Sequence, residues 1–329
     1  MKKVLNNIEN IVDEMCKGIV AANPGLALDE RYRIIKRKEI LKDRVTLISG
    51  GGSGHEPAHA GFVGEGMLTA AVCGDIFASP STMQIYNAIV QTQTDKGSLL
   101  IIKNYSGDCM NFDLAAEMAE DDDVLIDRVY VNDDIAVEDS LYTVGRRGVA
   151  GTVLVHKIAG AAAAEGRDLA EVKRLAEKTT KLVKSIGVAL TSCTVPAKGS
   201  PTFVLADNEI EYGVGIHGEP GIERQKLRSS KELAVDMVDR LLPEAGLEKG
   251  NTCVVMVNGL GATPLSELYI QYNDVARILG QKGVEIYRAF VGNYMTSLDM
   301  SGFSITLMKL DDELKSLLDA PADTAGMKI

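Results

Sequence analysis

The sequence predicts an α/β protein of two domains, each a largely parallel or mixed sheet covered by helices, with a small-ligand site between them. Three observations carry this expectation. From Val45 onwards short β-branched apolar runs alternate with stretches of helical periodicity, the pattern of a sheet with helices on its faces. Three predicted strands of the first half run into loops rich in Gly, Ser and Asp, and ligands of such sheets gather at the carboxyl ends of the strands. A fresh series of strand signals begins near Ser185, so the 329 residues divide into an N-terminal domain, 1–184, and a C-terminal domain, 185–329.

Taken in order, residues 5–22 place Ile8, Ile11, Val12, Met15 and Ile19 at three- and four-residue steps, one apolar helix face that Pro24 and Gly25 end. Residues 45–48 form a buried strand that empties into S-G-G-G-S-G-H-E-P, whose glycines let the backbone approach a ligand closely. A helix is expected to start at Glu56 or Pro57. Strands follow at 68–72, 99–103 and 124–131, with helices at 83–91 and 112–119 between them. The second of these four strands leads to Ser79 just before a proline, and the third to Lys103 and Asp108 around a Ser-Gly turn. Residues 132–152 carry both charge signs and three glycines, and read as an interface or a loop over the site. There Arg146 and Arg147 could meet a phosphate or a carboxylate, or simply a salt-bridged face. Two helices, 153–164 and 169–184, close the first half.

In the second half strands are expected at 186–193 and 202–206, then a turn G-V-G-I-H-G-E-P-G around His217. A helix at 233–242 stops at Pro243, and a strand at 253–257 precedes a helix capped by Thr263 and begun by Pro264. Strands at 284–291 and 303–310 complete the series. The Ala-, Pro- and Asp-rich tail after Leu318 stays loose unless it docks.

Composition narrows the function. Forty-six percent hydrophobic and 25% charged residues make an ordinary soluble mixture. A net charge of -11 without any Lys/Arg block argues against nucleic acid as a partner. Cys16, Cys73, Cys109, Cys193 and Cys253 are scattered and form no C-x-x-C pair, which reads as reduced thiols in a cytoplasmic protein. Acidic residues interrupt the first apolar stretch, and no apolar run reaches membrane-spanning length, so neither a targeting peptide nor a membrane partner is expected.

Four standard motifs nearly match and fail. His55 to His59 spells H-E-P-A-H, but a zinc-binding pair needs both histidines on one helix face, and Pro57 with the preceding glycines puts His55 outside any helix. No Gly-Lys-Ser or Gly-Lys-Thr follows the glycines, no third glycine opens a dinucleotide-binding helix, and the nucleophile-elbow spacing is absent. What remains is a small polar ligand. His55 and Asp108 could share proton handling at a hydroxyl, Lys103 could donate to an oxygen, and His217 could close on the same ligand from the other half.

Six long strings carry a closer resemblance: S-G-G-G-S-G-H-E-P-A-H-A-G from Ser49, I-I-K-N-Y-S-G-D from Ile101, D-S-L-Y-T-V-G-R-R-G-V-A from Asp139, L-A-D-N-E-I-E-Y-G-V-G-I-H-G-E-P-G-I from Leu205, N-G-L-G-A-T-P-L-S-E-L-Y from Asn258 and S-L-D-M-S-G-F-S-I-T-L from Ser297. Over nearly its whole length the chain resembles the dihydroxyacetone kinase family, in its dihydroxyacetone-binding subunit DhaK. The resemblance implies a covalent hemiaminal between dihydroxyacetone and His217, an acid/base pair at His55 and Asp108, and substrate contacts at Gly52, Ser79 and Lys103. It implies no metal or cofactor on this chain. Mg²⁺ and ADP or ATP are expected on a partner, DhaL, that is rephosphorylated by the phosphotransferase-system protein DhaM, and the chain is expected to be a homodimer. The alternative within the family is a non-catalytic dihydroxyacetone-binding paralogue that acts as coregulator of a transcription factor. One departure is the short link P-E-A-G-L-E-K-G after the 233–242 helix, where some members carry a long insertion; it lies away from the site strings.

Overall fold

The computed structural model describes residues 2–138, 145–219 and 221–329. The first six residues of the string opening at Asp139, and Pro220 in the histidine turn, lie outside the described residues.

The first half begins with α1 (Ile11–Ala22) and a pair of short strands, β1 (Leu26–Asp29) and β2 (Ile34–Arg37), then β3 (Thr46–Ser53), β4 (Ala70–Ile76), α2 (Thr82–Thr92), β5 (Ser98–Lys103), α3 (Ser106–Asp121) and β6 (Ile126–Val131). These six strands make one sheet in the order β1-β2-β4-β3-β5-β6. It is parallel from β4 to β6 and antiparallel at the β1-β2-β4 edge. Four-residue strands such as β1 and β2 are too short to show a period in sequence, which is why no expectation covered them.

Two helices, α4 (Thr152–Ala164) and α5 (Leu169–Leu182), lead into the second half: β7 (Val183–Ala189), β8 (Glu209–Tyr212), β9 (Glu223–Lys226), α6 (Ser230–Glu244), β10 (Thr252–Gly259), α7 (Leu265–Gln281), β11 (Glu285–Gly292), β12 (Gly302–Leu310) and α8 (Asp312–Asp319). Its sheet runs β11-β10-β12-β7-β8-β9. Among the described residues only β10 and β11 pair in parallel; the other strand pairs of this sheet are antiparallel. Both units are therefore mixed α/β layers.

Helix α4 is buried almost throughout, His156 and Lys157 included, because alanines fill most of the sides that a surface helix gives to charge. One continuous core joins it to Phe62, Val63 and Met67 of the first half and to Leu314, Leu317, Leu318, Ala322 and Met327 from the end of the chain. The tail thus docks, pairing at Glu65–Asp323 and Asp323–Lys328.

Several local expectations give way to tertiary contacts. Strand β3 continues through the glycines to Ser53, and no helix starts at Glu56 or Pro57; only a single 3₁₀ turn forms at Ala60–Phe62. The carbonyls of Gly54, His55 and Glu56 accept hydrogen bonds from Leu298 N, Thr296 N and Thr296 Oγ1, so they are engaged by the second half of the chain. Residues 202–206 form no strand, since the amides of Thr202 and Phe203 both donate to Ser192 Oγ. Helix α6 passes through Pro243 and ends at Glu244, the fixed φ of proline being compatible with a last turn. Thr263 does not cap α7, whose N-cap is Pro264; its hydroxyl instead donates to Gly302 O at 2.6 Å and accepts from Gly302 N at 2.7 Å. All five cysteines are free, and among the described residues no helix is long and apolar enough to cross a membrane.

Asp133 joins the two halves. Its carboxylate accepts from Val149 N and Gly151 N at 2.8 Å each and from Ser185 Oγ at 2.5 Å, the last on β7. Asp133→Ala leaves the buried Val149 and Gly151 amides without an acceptor and Ser185 Oγ with Thr306 Oγ1 alone, and at about 1–3 kcal/mol for each orphaned group it is expected to lower the unfolding free energy in urea by about 2 kcal/mol or more. A loss under about 1 kcal/mol would remove Asp133 from the joint.

Candidate functional site

A cavity of about 580 Å³ lies between the halves, with Gly52, Phe77, Ser79, Tyr105 and Asp108 on one wall and Lys198, Thr202, His217 and Glu219 on the other. The first wall is built on the carboxyl ends of β3, β4 and β5. At Gly51 the φ of +151° and the crowding beneath require glycine, because an added Cβ would stand 2.8 Å from Lys103 Nζ. Lys103, at the end of β5, is fully buried there and donates to Asp108 Oδ2 at 3.2 Å. Asp108 is the third residue of α3, where the positive end of the helix dipole favours a carboxylate.

His55 is fully buried behind this wall. Its Nδ1 lies 2.8 Å from Thr296 O, and a carbonyl only accepts, so Nδ1 carries the proton and Nε2 the lone pair. The ring stacks on Phe77 at 5.1 Å and meets the His217 ring edge-on at 4.7 Å. Burial, then the neighbouring His217 and Lys103 charges, push the His55 pKa well below the ordinary histidine value. His55 therefore stays neutral, a lone-pair acceptor inside the protein.

His217 stands on the opposite wall in the turn after β8, held between Tyr105 at 4.4 Å and Phe77 at 5.4 Å. Glu219 grips it from behind: Oε2 accepts from His217 N at 2.7 Å, and Oε1 lies 3.4 Å from Nδ1. Burial works to raise the Glu219 pKa, but the His217 imidazole and the Arg147 guanidinium outweigh it and hold the carboxyl down to about 2.

Of the residues expected from sequence, Gly52, Ser79, Asp108 and His217 line the cavity, whereas His55 and Lys103 lie one layer behind it. Arg146 pairs with Glu244 near the surface, and Arg147 is buried against Asp134. Phe77, Tyr105, Thr296 and Glu219 have no signal in sequence beyond proximity, although Glu219 stands two residues after His217. The two histidines of H-E-P-A-H diverge: His59 Nδ1 turns to His156 Nε2 at 3.0 Å, and among the described residues no group of three or more His, Cys, Asp or Glu is placed to hold a metal.

Polar groups converging on an aromatic-walled cavity between two α/β units define a binding protein for a small polar molecule, with one imidazole as its available nucleophile. The comparisons are more specific: the chain belongs to the Dak1 domain family, whose model matches residues 17–326. It is 52% identical over 326 residues to the dihydroxyacetone-binding subunit DhaK of PTS-dependent dihydroxyacetone kinase 1 from Listeria innocua serovar 6a, covering 98% of this chain and 99% of that one. To the DhaK subunit of the PEP-dependent kinase of Escherichia coli K12 it is 45% identical, covering 99% of each. Among solved structures, the dihydroxyacetone kinase of C. freundii superposes with a TM-score of 0.90 at 39% identity, over 99% of this chain and 60% of that one. The dihydroxyacetone kinase operon co-activator Dha-DhaQ does so with a TM-score of 0.90 at 39% identity, over 95% and 97%.

The buried histidines make stability depend on pH. Burial, followed by Lys103, lowers the His156 pKa to about 3, and burial and the same lysine push His59 well below its ordinary value, as burial does His55. Below about pH 6.5 the unfolded chain binds protons that the folded chain refuses, so stability falls as pH drops from 6.5 towards 3. Each histidine contributes up to ~1.4 kcal/mol per pH unit, about 4 for the three at the steepest point. His156→Gln is expected to flatten the stability–pH slope between pH 6 and 4 by up to ~1.4 kcal/mol per pH unit; an unchanged slope would exclude a neutral buried His156.

Proposed function

We propose that the chain is the dihydroxyacetone-binding subunit of a phosphoenolpyruvate-dependent dihydroxyacetone kinase. It holds dihydroxyacetone as a covalent hemiaminal on His217 and presents a terminal hydroxyl for phosphorylation to dihydroxyacetone phosphate. The observation that carries this reading is the placing of His217: Nδ1 turns back to Glu219, which leaves Nε2 to the cavity, opposite His55 and Asp108. An imidazole nitrogen attacks a ketone but finds no electrophilic carbon in glycerol, so the tether itself selects the substrate. It also holds the hydroxyl in place for transfer. The lone pair of His55 Nε2 and the Asp108 carboxylate handle the proton of that hydroxyl, and Gly52 and Ser79 supply polar contacts on the same wall. Lys103, beneath Gly51, holds Asp108 in position by donating to its Oδ2 at 3.2 Å.

The phosphoryl donor, with its Mg²⁺ and ADP or ATP, belongs in this reading to a DhaL partner supplied by DhaM. A homodimer in the cytoplasm completes it. A second reading, a coregulator that binds dihydroxyacetone without phosphorylating it, is favoured by the likeness to the operon co-activator. A sensor needs only the tether, however, and this chain also holds His55 and Asp108 at the tether.

Intact-protein mass spectrometry with dihydroxyacetone is expected to show an adduct on the wild type and none on His217→Ala. With DhaL, DhaM and the phosphoenolpyruvate-fed components, the wild type is expected to form dihydroxyacetone phosphate, and His55→Ala to keep the adduct while losing turnover about 100-fold or more. An adduct without any product decides for the coregulator. Full turnover in His55→Ala would remove His55 from the mechanism.

A further inference from the structure

We propose that Glu219, braced by Arg147 and Asp134, is the positioning residue that makes His217 a nucleophile, by fixing its Nδ1–H tautomer and supplying the counter-charge of the adduct. This inference rests on the reading of His217 as the substrate's anchor. It adds the device that would make an ordinary imidazole competent at that position.

Glu219 is only 6% exposed and spends both carboxylate oxygens on residue 217, one on the backbone N–H and one on the ring. A carboxylate only accepts, so the ring nitrogen facing it carries the proton and Nε2 keeps its lone pair towards the cavity. Such a buried anion needs compensation. It comes from Arg147, which is fully buried, with Nε donating to Asp134 Oδ2 at 2.8 Å and Nη2 donating to Gly213 O at 2.8 Å while standing 2.6 Å from the same Asp134 oxygen as an ion pair. The remaining nitrogen, Nη1, has no acceptor within hydrogen-bond reach. It faces Glu219 across Gly215, where an added Cβ would stand 2.7 Å from Nη1 and 2.7 Å from Glu219 Oε1. Arg147 and Glu219 thus act on each other through the field over a short gap rather than as a closed ion pair.

The charges of this cluster do not cancel. Asp134 and Glu219 contribute two negative charges and Arg147 one positive, so the buried group carries a net negative charge beside the atoms that become positive in the adduct. The covalent step places a positive charge there. The Nε2 lone pair forms the C–N bond to the ketone carbon, and the C=O π pair moves to oxygen, which takes a proton originating in water and passed on at His55 and Asp108. The ring keeps its Nδ1 proton and becomes cationic, with Glu219 Oε1 as its nearest anion. One ketone, one imidazole and one solvent proton give one imidazolium hemiaminal, with no further reactant. In the other neutral tautomer Nε2 carries the hydrogen and has no lone pair for the ketone.

Histidine ¹⁵N NMR of the full chain, with intact-mass titration by dihydroxyacetone, tests this. The free wild type is expected to show His217 protonated at Nδ1 and bare at Nε2. In Glu219→Gln, whose amide can donate to Nδ1 as readily as accept from it, the Nε2–H tautomer is expected to appear, and the dihydroxyacetone concentration for half-adduct to rise tenfold or more. Glu219→Asp, which keeps the charge, is expected to recover part of that loss. A wild-type ring protonated at Nε2 overturns the proposal without any variant, so a Gln variant that fails to fold leaves it open to refutation. Wild-type tautomer and titration in Glu219→Gln overturn it while leaving the anchor intact. No adduct on the wild type overturns the anchor and the proposal together.

Discussion

Four hydrogen bonds between Gly54–Glu56 and the segment around Thr296 hold the site together. Leu298 N and Thr296 N donate to Gly54 O and His55 O at 2.8 and 3.1 Å, Thr296 Oγ1 donates to Glu56 O at 2.9 Å, and His55 Nδ1 donates to Thr296 O at 2.8 Å. These bonds take the carbonyls that would otherwise begin a helix after the glycine loop, which keeps the chain extended and delivers His55 between the two halves. They also fix which nitrogen of His55 carries the proton. Where both partners are buried, as in the bond from His55 Nδ1 to Thr296 O, its loss would carry the cost of an unpaired polar group. The wall of the cavity is in this sense made by the second half as much as by the first.

The two walls treat charge differently. On the first, burial keeps His55 neutral while Asp108 pairs with the Lys103 cation beneath the glycine loop. On the second, His217 is enclosed by a buried anion whose counter-ion, Arg147, is itself bound to Asp134. A neutral imidazole acceptor on one wall thus faces a second imidazole, backed by a buried carboxylate, on the other. Neither wall contains that pair by itself, so the chemistry belongs to their meeting.

Much of the strand and helix order was readable because β5, β6, β10 and β12 are six or more residues long and rich in apolar, partly β-branched side chains, long enough for the pattern to outweigh local alternatives. The misses share one cause. The helix expected at Glu56, the strand expected at 202–206 and the cap expected from Thr263 were each overruled by a hydrogen bond that no local periodicity encodes, respectively to the segment around Thr296, to Ser192 ten residues back and to Gly302. Local propensity is worth tenths of a kcal/mol per residue, and one buried hydrogen bond is worth about as much as several such preferences. The docked tail follows the same rule, since Ala322 and Met327 find partners in a core assembled from both halves.

The sequence by itself determined the α/β class, the glycine loop after a strand, the histidine turn and the residue types at Gly52, His55, Ser79, Lys103, Asp108 and His217, because those depend on local composition and on long strings shared with a family. Only the tertiary structure decided that His55 and His217 meet at 4.7 Å, that Lys103 serves from beneath the loop, and that Glu219 with Arg147 stands behind the imidazole. The reason is physical. A charge or a ring nitrogen acquires its role from its nearest buried neighbours, and those neighbours come from segments up to 241 residues apart, whose meeting no local pattern encodes.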